Sequence, residues 1–342
     1  MADKSIILIG AGANDLISRL WQTAEPAIRY KVRTGVWGEG ADSAEIRSLQ
    51  AQIRLSPRVQ TLLAERDADG RIPYHPYTKW VGAHWLLATL ADIGYPPGDE
   101  ALIPLREQTL DWLLGAHHTR SIRAINGRTR RCASQESNAL FALLRLGLAD
   151  ARCDELAERL CRWQWPDGGW NCDRRPEASH SSFHESLIPL RALAWHARLS
   201  GHADSRAAAA RAAEMFLARR LFRRLSDGQV IDPTFIALHY PCYWHYDALF
   251  GLKVLAEAGF IGDPRCAEAL DWLEGRQLPD GGWPADARFY RRATEGSGRS
   301  AVSWGVVGPK HLNEWVSADS LTVLVAAGRL DGAAMRLEDA LD

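Results

Sequence analysis

The feature that most constrains the fold of this chain is a seven-residue turn that occurs twice. Residues 164–170 read Gln-Trp-Pro-Asp-Gly-Gly-Trp, and residues 277–283 read Gln-Leu-Pro-Asp-Gly-Gly-Trp. Proline fixes φ, aspartate bonds to nearby backbone amides and glycine accepts positive φ, so each copy predicts a tight turn. We expect the Gln to hydrogen-bond to backbone at a helix end and the Trp to stack over the chain. A turn that recurs in this way indicates a repeated supersecondary unit.

The hydrophobic pattern between the turns indicates pairs of helices. Helices that are apolar nearly all round are predicted to begin near residues 79, 132, 181, 243 and 312. The helix that follows each of the first four carries an apolar stripe opposite charges. Such pairs suit an inner and an outer ring, so the predicted fold is all-α, an α/α toroid. We expect a lead-in helix within residues 1–24 and one toroid domain over residues 25–342, ending in a short helix near Ala333.

Composition excludes several classes of partner. The formal net charge is −1, which gives no basis for a nucleic-acid partner. No stretch approaches the roughly eighteen apolar residues of a membrane span, and the N-terminus lacks a signal-peptide pattern. The 6 cysteines are spread over 342 residues, which favours reduced thiols over a disulfide scaffold. We therefore expect a cytoplasmic protein without an integral membrane segment.

The repeated turn follows an outer helix and precedes an inner one, so all such loops are predicted to lie at one end of the toroid. The N-termini of the inner helices then meet at one mouth, where their free N–H groups gather. Their first turns are rich in polar and aromatic side chains. The predicted substrate-binding residues are Trp80, His84, Tyr243, Trp244 and Trp315. The tryptophan and tyrosine rings can stabilise a cation by their faces, and the competing interpretation is that they only pack.

The same first turns hold side chains suited to proton transfer. The candidates for general acid–base catalysis are His184, Glu185, His245, Tyr246 and Asp247. The segment His245-Tyr246-Asp247 can equally form a hydrogen-bonded cluster in the core. The residue types alone do not separate these two roles.

Metal binding is the sharpest hypothesis for the mouth. Cys132 and His180 occupy equivalent positions at the start of successive inner helices, and Cys172 lies in the loop that leads to the second. Thiolate and imidazole together suit zinc, with a fourth position for water or substrate. The alternative is that Cys132 is a small buried residue, Cys172 a loop thiol and His180 a helix cap.

The repeated turn resembles the QW repeat, Gln-x-x-Asp-Gly-x-Trp, of the squalene–hopene cyclase and protein prenyltransferase superfamily. The resemblance covers residues 25 to about 327 and implies an α/α toroid with a central, aromatic-lined cavity. In the prenyltransferases an Asp and a Cys at the start of one inner helix and a His at the start of the next hold zinc. Cys132 and His180 match the last two, but Arg130 stands where the family has its Asp. Cys172 or His184 would have to replace that ligand.

Class II terpene cyclases of the superfamily protonate an alkene with an Asp-x-Asp-Asp motif, which this chain lacks. A cyclase role would therefore need Asp247 or Glu185 as the acid. Three functions stay open. The first is an enzyme that acts on a hydrophobic, isoprenoid-like small molecule in the toroid cavity, with zinc at the mouth. The second is a metal-independent terpenoid cyclase or isomerase, and the third is a binding or scaffold toroid whose cavity its own side chains fill.

Overall fold

A computed structural model describes residues 14–332, so residues 1–13 of the predicted lead-in and the predicted helix near Ala333 lie outside the described residues. The helices are, in chain order, α1 (residues 14–21), α2 (Pro26–Lys31), α3 (Ala44–Leu55), α4 (Pro57–Leu62), α5 (Ala83–Asp92), α6 (Ile103–Leu114), α7 (Ala116–Ser121), α8 (Ser134–Arg145), α9 (Ala151–Trp163), α10 (Phe183–Ser200), α11 (Ala203–Ala218), α12 (Ala248–Glu257), α13 (Ala267–Glu274) and α14 (Glu314–Ala326). Strands β1 (Arg123–Ile125) and β2 (Arg128–Arg130) form an antiparallel hairpin.

The inner ring consists of α2, α5, α8, α10, α12 and α14. Consecutive members from α5 to α14 pack against one another, and α14 packs back against α2. A distance of 3.6 Å between Lys31 Nζ and Asp92 Oδ2 joins α2 to α5 and closes the ring. The sequence pattern missed α2 as a member because this helix has only 6 residues, too few to show a period.

The outer ring consists of α3, α6, α9, α11 and α13, each packed on the inner helix that precedes it. Helix α9 is typical, since Cys153, Leu156 and Leu160 are buried while its charged side chains mostly face solvent. The all-α fold and the α/α toroid predicted from the sequence are confirmed. In the part of the chain that the structure describes, none of the helices is long and apolar enough to cross a membrane.

The glutamine of each repeated turn follows the end of an outer helix and donates to a backbone carbonyl of its own turn. Gln164 Nε2 donates to the carbonyl oxygens of Gly168 at 2.7 Å and Ala208 at 2.8 Å, so it ties the turn to the next outer helix, α11. Gln277 Nε2 donates to Gly281 O at 2.7 Å in the second copy. Both of these glycines have positive φ, as the turn requires.

The tryptophan of each turn connects an outer helix to the next inner one. The indole Nε1 of Trp170 donates to Leu160 O of α9 at 3.0 Å, and the backbone N–H of Trp170 donates to Ser186 Oγ of α10 at 2.9 Å. Trp283 repeats the pattern with carbonyl and hydroxyl partners on α13 and α14. Each indole is thus anchored by a hydrogen bond, because a buried indole N–H needs an acceptor.

Charged side chains from inner helices meet at the centre of the toroid. Asp319 accepts from Lys31 Nζ at 2.8 Å and from Lys253 Nζ at 2.9 Å, and Lys253 also lies 3.1 Å from Asp92. Arg191 reaches Asp92 at 3.3 Å. Burial alone would raise the pKa of Asp92, but the charges of Lys253, Lys31 and Arg191 hold it well below its usual range.

A cavity of about 40 Å³ adjoins this network, and its walls include Asp92, Asn138, Arg191, Tyr240 and Lys253. This volume has room for about one water molecule. The aromatic rings of Phe141, Tyr240, Tyr243 and Phe250 also line this cavity. The centre therefore has the aromatic lining that the family resemblance implies, but it is nearly filled and also carries a charged network.

We predict that Gln164→Ala lowers the free energy of unfolding by about 1–3 kcal/mol, because two carbonyl oxygens lose a donor. The free energy is measured by urea denaturation. Gln229→Ala, which changes an exposed loop side chain, serves as the control and should alter stability by less than about 0.5 kcal/mol. Equal losses in the two variants would contradict the role given to the turn.

We also predict that Asp92 makes stability depend on pH. Its pKa is lower in the folded than in the unfolded protein, so its contribution is present above the unfolded pKa and is lost as the pH falls through the folded one. Asp92→Asn should cost about 3–5 kcal/mol near neutral pH and flatten the acid limb of a thermal-unfolding profile. The exposed Asp69→Asn variant should keep the wild-type profile; a steep acid limb in Asp92→Asn would refute the assignment.

Candidate metal centre at the mouth of the toroid

Cys132, Cys172 and Glu185 come together at the mouth, with one potential ligand atom from each within 4.8 Å of the others. Cys132 precedes α8, Cys172 follows the first repeated turn, and Glu185 lies in the first turn of α10. A backbone hydrogen bond of 3.3 Å from Arg131 N to Asn171 O holds the two cysteine-bearing segments side by side. Within residues 14–332, these three residues are the only group of potential metal ligands that lie this close together.

The carboxylate of Glu185 is oriented by the N-terminus of α8. Its Oε2 accepts from the Ser134 amide at 3.1 Å, and its Oε1 lies 3.8 Å from Cys172 Sγ. Burial raises the pKa of Glu185, and the hydrogen bond from Ser134 opposes the rise. One oxygen is thereby fixed while the other faces the thiols.

The two thiols interact with each other. Their hydrogen bond lowers the pKa of Cys172 and, together with burial, raises the pKa of Cys132. Cys172 is therefore the thiol that ionises first. Two thiolates around a tetrahedral zinc ion lie about 3.8 Å apart when each Zn–S bond is about 2.3 Å. The spacing and the donor set of two sulfurs and one carboxylate oxygen fit such an ion.

His180 does not join this group, which corrects the ligand set expected from the sequence. The residue is exposed on the loop before α10, and its carbonyl oxygen accepts from Asn171 Nδ2 at 2.8 Å. Ser181 is held by Asp167, through its N–H at 2.8 Å and its hydroxyl at 2.6 Å, so α10 begins only at Phe183. The helix starts later than the sequence suggested, and Glu185 takes the position nearest Cys132.

Arg130, which stands where the prenyltransferases have an aspartate, has a structural role. Only 2% of its surface is exposed, its guanidinium donates to Ala178 O at 2.9 Å, and it lies 4.5 Å from the ring centroid of Trp165. The next residue, Arg131, donates from Nε to Glu136 Oε1 at 3.1 Å. Arg131 therefore brings a positive charge to the side of the thiol pair.

Glu136 has no exposed surface and also contacts His118, whose Nε2 lies 2.8 Å from Glu136 Oε1. Burial acts to raise the pKa of Glu136, but the hydrogen bond from His118 and the charge of Arg131 outweigh it and lower the pKa.

The predicted substrate residue His84 donates from Nε2 to Gln135 O at 2.9 Å, and burial lowers its pKa to about 4. His84 is therefore a neutral, buried histidine.

The predicted acid–base residues divide between different environments. His184 accepts from the Tyr246 backbone N–H at Nδ1, at 2.9 Å. The Tyr246 hydroxyl donates to Leu221 O at 2.6 Å inside the core, which supports the core interpretation for this residue. Asp247 caps α12 by accepting from the Phe250 amide at 2.7 Å.

Three of the predicted substrate-binding aromatic residues, Trp80, Tyr243 and Trp244, lie in stacked pairs. Trp80 stacks on Tyr243 with ring centroids 3.9 Å apart, and Trp244 stacks on His245 at 4.2 Å. Lys79 places its ammonium 5.0 Å from the ring centroid of Trp244. These rings lie together at the mouth, and their role toward a substrate stays a prediction.

Trp315, by contrast, lies inside the wall. It is 2% exposed and stacks on Tyr240 at 4.9 Å, with the Arg58 guanidinium 4.9 Å from its ring centroid. This packing gives Trp315 a structural role in the wall of the toroid.

Sequence reasoning missed two residues that contact the candidate residues directly. His239 Nδ1 lies 2.8 Å from Asp247 Oδ2, and Phe289 stacks on His245 at 3.9 Å. Neither position lies on a helix, so no periodicity relates it to the mouth. The only available signal was the histidine in the segment Leu-His-Tyr-Pro just before α12.

Comparison with known proteins gives little beyond the fold. No family model matches the sequence, and no curated protein matches it. Among solved structures the chain is similar to a variant of the type II terpene cyclase MstE from Scytonema, in complex with its substrate geranylgeranyl dihydroxybenzoate. The identity is 16%, the TM-score is 0.46, and the alignment covers 95% of this chain and 99% of that one. The toroid assignment rests on the helix contacts described above.

We predict that Cys172 is alkylated faster than the other thiols in chelator-treated protein near neutral pH. Its pKa is lowered by the hydrogen bond from Cys132, whereas burial raises the pKa of Cys153 and of Cys266 to about 11. Iodoacetamide labelling followed by peptide mass spectrometry measures the rates. Cys132→Ala should slow the labelling of Cys172, and Cys161→Ser should not; an unchanged rate in both would contradict the coupling of the two thiols.

Proposed function

We propose that the chain is a zinc-dependent enzyme that acts on a hydrophobic, isoprenoid-like small molecule at the mouth of an α/α toroid. The observation that carries the proposal is the convergence of Cys132, Cys172 and Glu185 from three separate segments of the chain. Thiolate sulfur and carboxylate oxygen are both zinc ligands in proteins. The set leaves one tetrahedral position for a substrate.

Zinc bound there would supply a Lewis acid and would activate a nucleophile in the open position. The residues around it have supporting roles. Ser134 fixes the Glu185 carboxylate through its amide, and the charge of Arg131 favours ionisation of the Cys132 thiol. The buried pair of Glu136 and His118 holds Arg131 in place.

The substrate class rests on the family resemblance of the repeated turn and on the aromatic side chains of the mouth. Trp80, Tyr243 and Trp244 offer apolar ring faces, which can also stabilise a developing positive charge. The ion-paired centre has a cavity of about 40 Å³, which is too small for an apolar chain. We therefore assign the apolar part of the substrate to the mouth and not to the centre of the ring.

Elemental analysis tests the metal. Protein purified without metal-chelating resin is expected to hold about one zinc per chain, and Cys132→Ala, Cys172→Ala and Glu185→Gln are each expected to lose most of it, because each removes a ligand. Cys161→Ser and His180→Ala are matched controls, since both side chains lie outside the group, and both should retain zinc.

Either of two results would contradict this assignment. Wild-type protein without metal would remove zinc from the proposal. Loss of zinc in His180→Ala with retention in Glu185→Gln would restore the ligand set expected from the sequence. A far-UV circular dichroism spectrum of each variant separates loss of a ligand from loss of the fold.

A metal-independent cyclase is the second candidate, and Glu185 is the observation in its favour. Burial raises the pKa of this carboxyl, so it keeps its proton to higher pH than an exposed glutamate, as an acid that protonates an alkene requires. Asp247 suits this role less well, because its oxygens accept hydrogen bonds from Phe250 and His239.

The filled centre supports the third candidate, a scaffold toroid without a ligand. Saturable quenching of tryptophan fluorescence by farnesol would argue against a scaffold, and the zinc content separates the two enzymes.

A further inference from the structure

His239 and Asp247 form a buried pair on the flank of α10 away from the thiols. Asp247 Oδ2 accepts from His239 Nδ1 at 2.8 Å and from the His239 backbone N–H at 3.0 Å, while Asp247 Oδ1 caps α12. His239 is 2% exposed, and Asp247 is fully buried. A carboxylate that accepts from Nδ1 fixes the proton on that nitrogen and leaves the lone pair of the neutral ring on Nε2.

The Nε2 atom of His239 is buried, and no group within residues 14–332 forms a hydrogen bond with it. Two neighbouring atoms share this state, namely His245 Nδ1 and Trp244 Nε1. The ring centroids of His239 and His245 lie 6.2 Å apart, and Trp244 stacks directly on His245. Buried polar atoms are normally paired, so the free lone pair of His239 Nε2 indicates a place for a polar ligand atom.

Phe289 packs against the rings of His239 and His245. Its ring is parallel to His245, with centroids 3.9 Å apart and an interplanar angle of 13°, and its centroid lies 4.7 Å from that of His239. Phe289 belongs to residues 286–303, a segment without helices or extended strands, which we name the strap. The strap is attached to the mouth by a hydrogen bond of 3.1 Å from Trp80 Nε1 to Phe289 O and by an ion pair between Arg299 and Glu65.

We propose that His239 and Asp247 form an acid–base pair in a second ligand site, which Phe289 fills when the strap is closed, and that this site takes a flat ring bearing a hydroxyl group. A phenyl ring already occupies the slot, which sets the shape of the ligand. A hydroxyl on that ring can donate to His239 Nε2, which lacks a donor and lies on the ring next to Phe289.

The proton balance of the pair is simple. His239 Nε2 takes the proton from the bound hydroxyl and becomes an imidazolium, while Nδ1–H stays hydrogen-bonded to the Asp247 carboxylate, which stabilises the cation. The reverse transfer returns the proton to the oxygen. Burial, with His239 and His184 nearby, lowers the pKa of His245 to about 3, so the ring beside the pair is neutral and does not compete as a cation.

Phenol and toluene are the probes, because they share a shape and differ in the hydroxyl group. In Phe289→Ala, which clears the slot, both are expected to bind. Adding His239→Leu should weaken phenol binding about tenfold and leave toluene binding unchanged, because only phenol loses its acceptor. Calorimetric titration measures the affinities. His196, which is equally buried but bonded at both ring nitrogens to Ser205 and Asp154, provides the control variant His196→Leu, which should not distinguish the two probes.

A second measurement does not depend on the stability of the variants. In ¹⁵N-histidine NMR spectra of Phe289→Ala, the Nε2 resonance of His239 should have the shift of an unprotonated nitrogen and should move when phenol, but not toluene, is added. A protonated Nε2 in the free protein, or equal effects of His239→Leu on both probes, would overturn the proposal. Neither result depends on zinc, so the outcome is separate from the test of the metal centre.

Discussion

The hydrogen bonds of the two repeated turns are the interactions on which the rest of the toroid depends. In each turn the indole N–H of the tryptophan binds the carbonyl of an outer helix, and its backbone N–H binds a serine at the start of the next inner helix. The height of one helix relative to the next is therefore fixed by short-range bonds. Because Ser186 of α10 and Ser317 of α14 each bind such a turn, the first turns of these two helices lie at the same end of the ring. Directly after the first turn, the carbonyl of Asn171 accepts from Arg131 N, which brings Cys132 to the same end as Glu185.

The centre and the mouth of the toroid have different physical tasks. At the centre, Lys31, Asp92, Lys253 and Asp319 neutralise one another across the ring, and each would carry a large desolvation penalty without its partners. This pairing suits a rigid core and leaves little volume for a ligand. At the mouth the thiols, the histidines and the tryptophans are only partly paired within the protein.

The start of α10 separates two chemical environments. Glu185 points toward Ser134 and Cys172, and the preceding residue, His184, contacts Tyr246 on the other side. Adjacent residues on a helix project about 100° apart. One helix turn therefore supplies Glu185 to the candidate metal centre and His184 to the cluster that it forms with His239 and His245. Lys79 and Trp80 extend this cluster to the first inner helix recognised from the sequence.

Much of the fold was predictable, because the helical periods and the two turns are local properties. The candidate site was predictable only in part. Cys132 and Cys172 were singled out correctly as neighbours, since each lies near the start of an inner helix or in the loop that leads to one. His180 was the predicted ligand, but Glu185 lies beside the thiols. The hydrogen bonds from Ser181 to Asp167 delay the start of α10, and no local sequence pattern reveals them. The ion pairs at the centre were not foreseen, since apolar helices hide single charges whose partners lie on other helices.

The sequence by itself therefore determined the architecture. The spacing of apolar residues selects helices in pairs, and turn residues with fixed φ set where the chain reverses. The tertiary structure alone decided which carboxylate stands beside the thiols, that His239 is held by Asp247, and that Phe289 packs against both histidines at the mouth. Those outcomes depend on distances between atoms from segments up to about fifty residues apart. Such distances are fixed only when the ring closes and the packing of every helix is set.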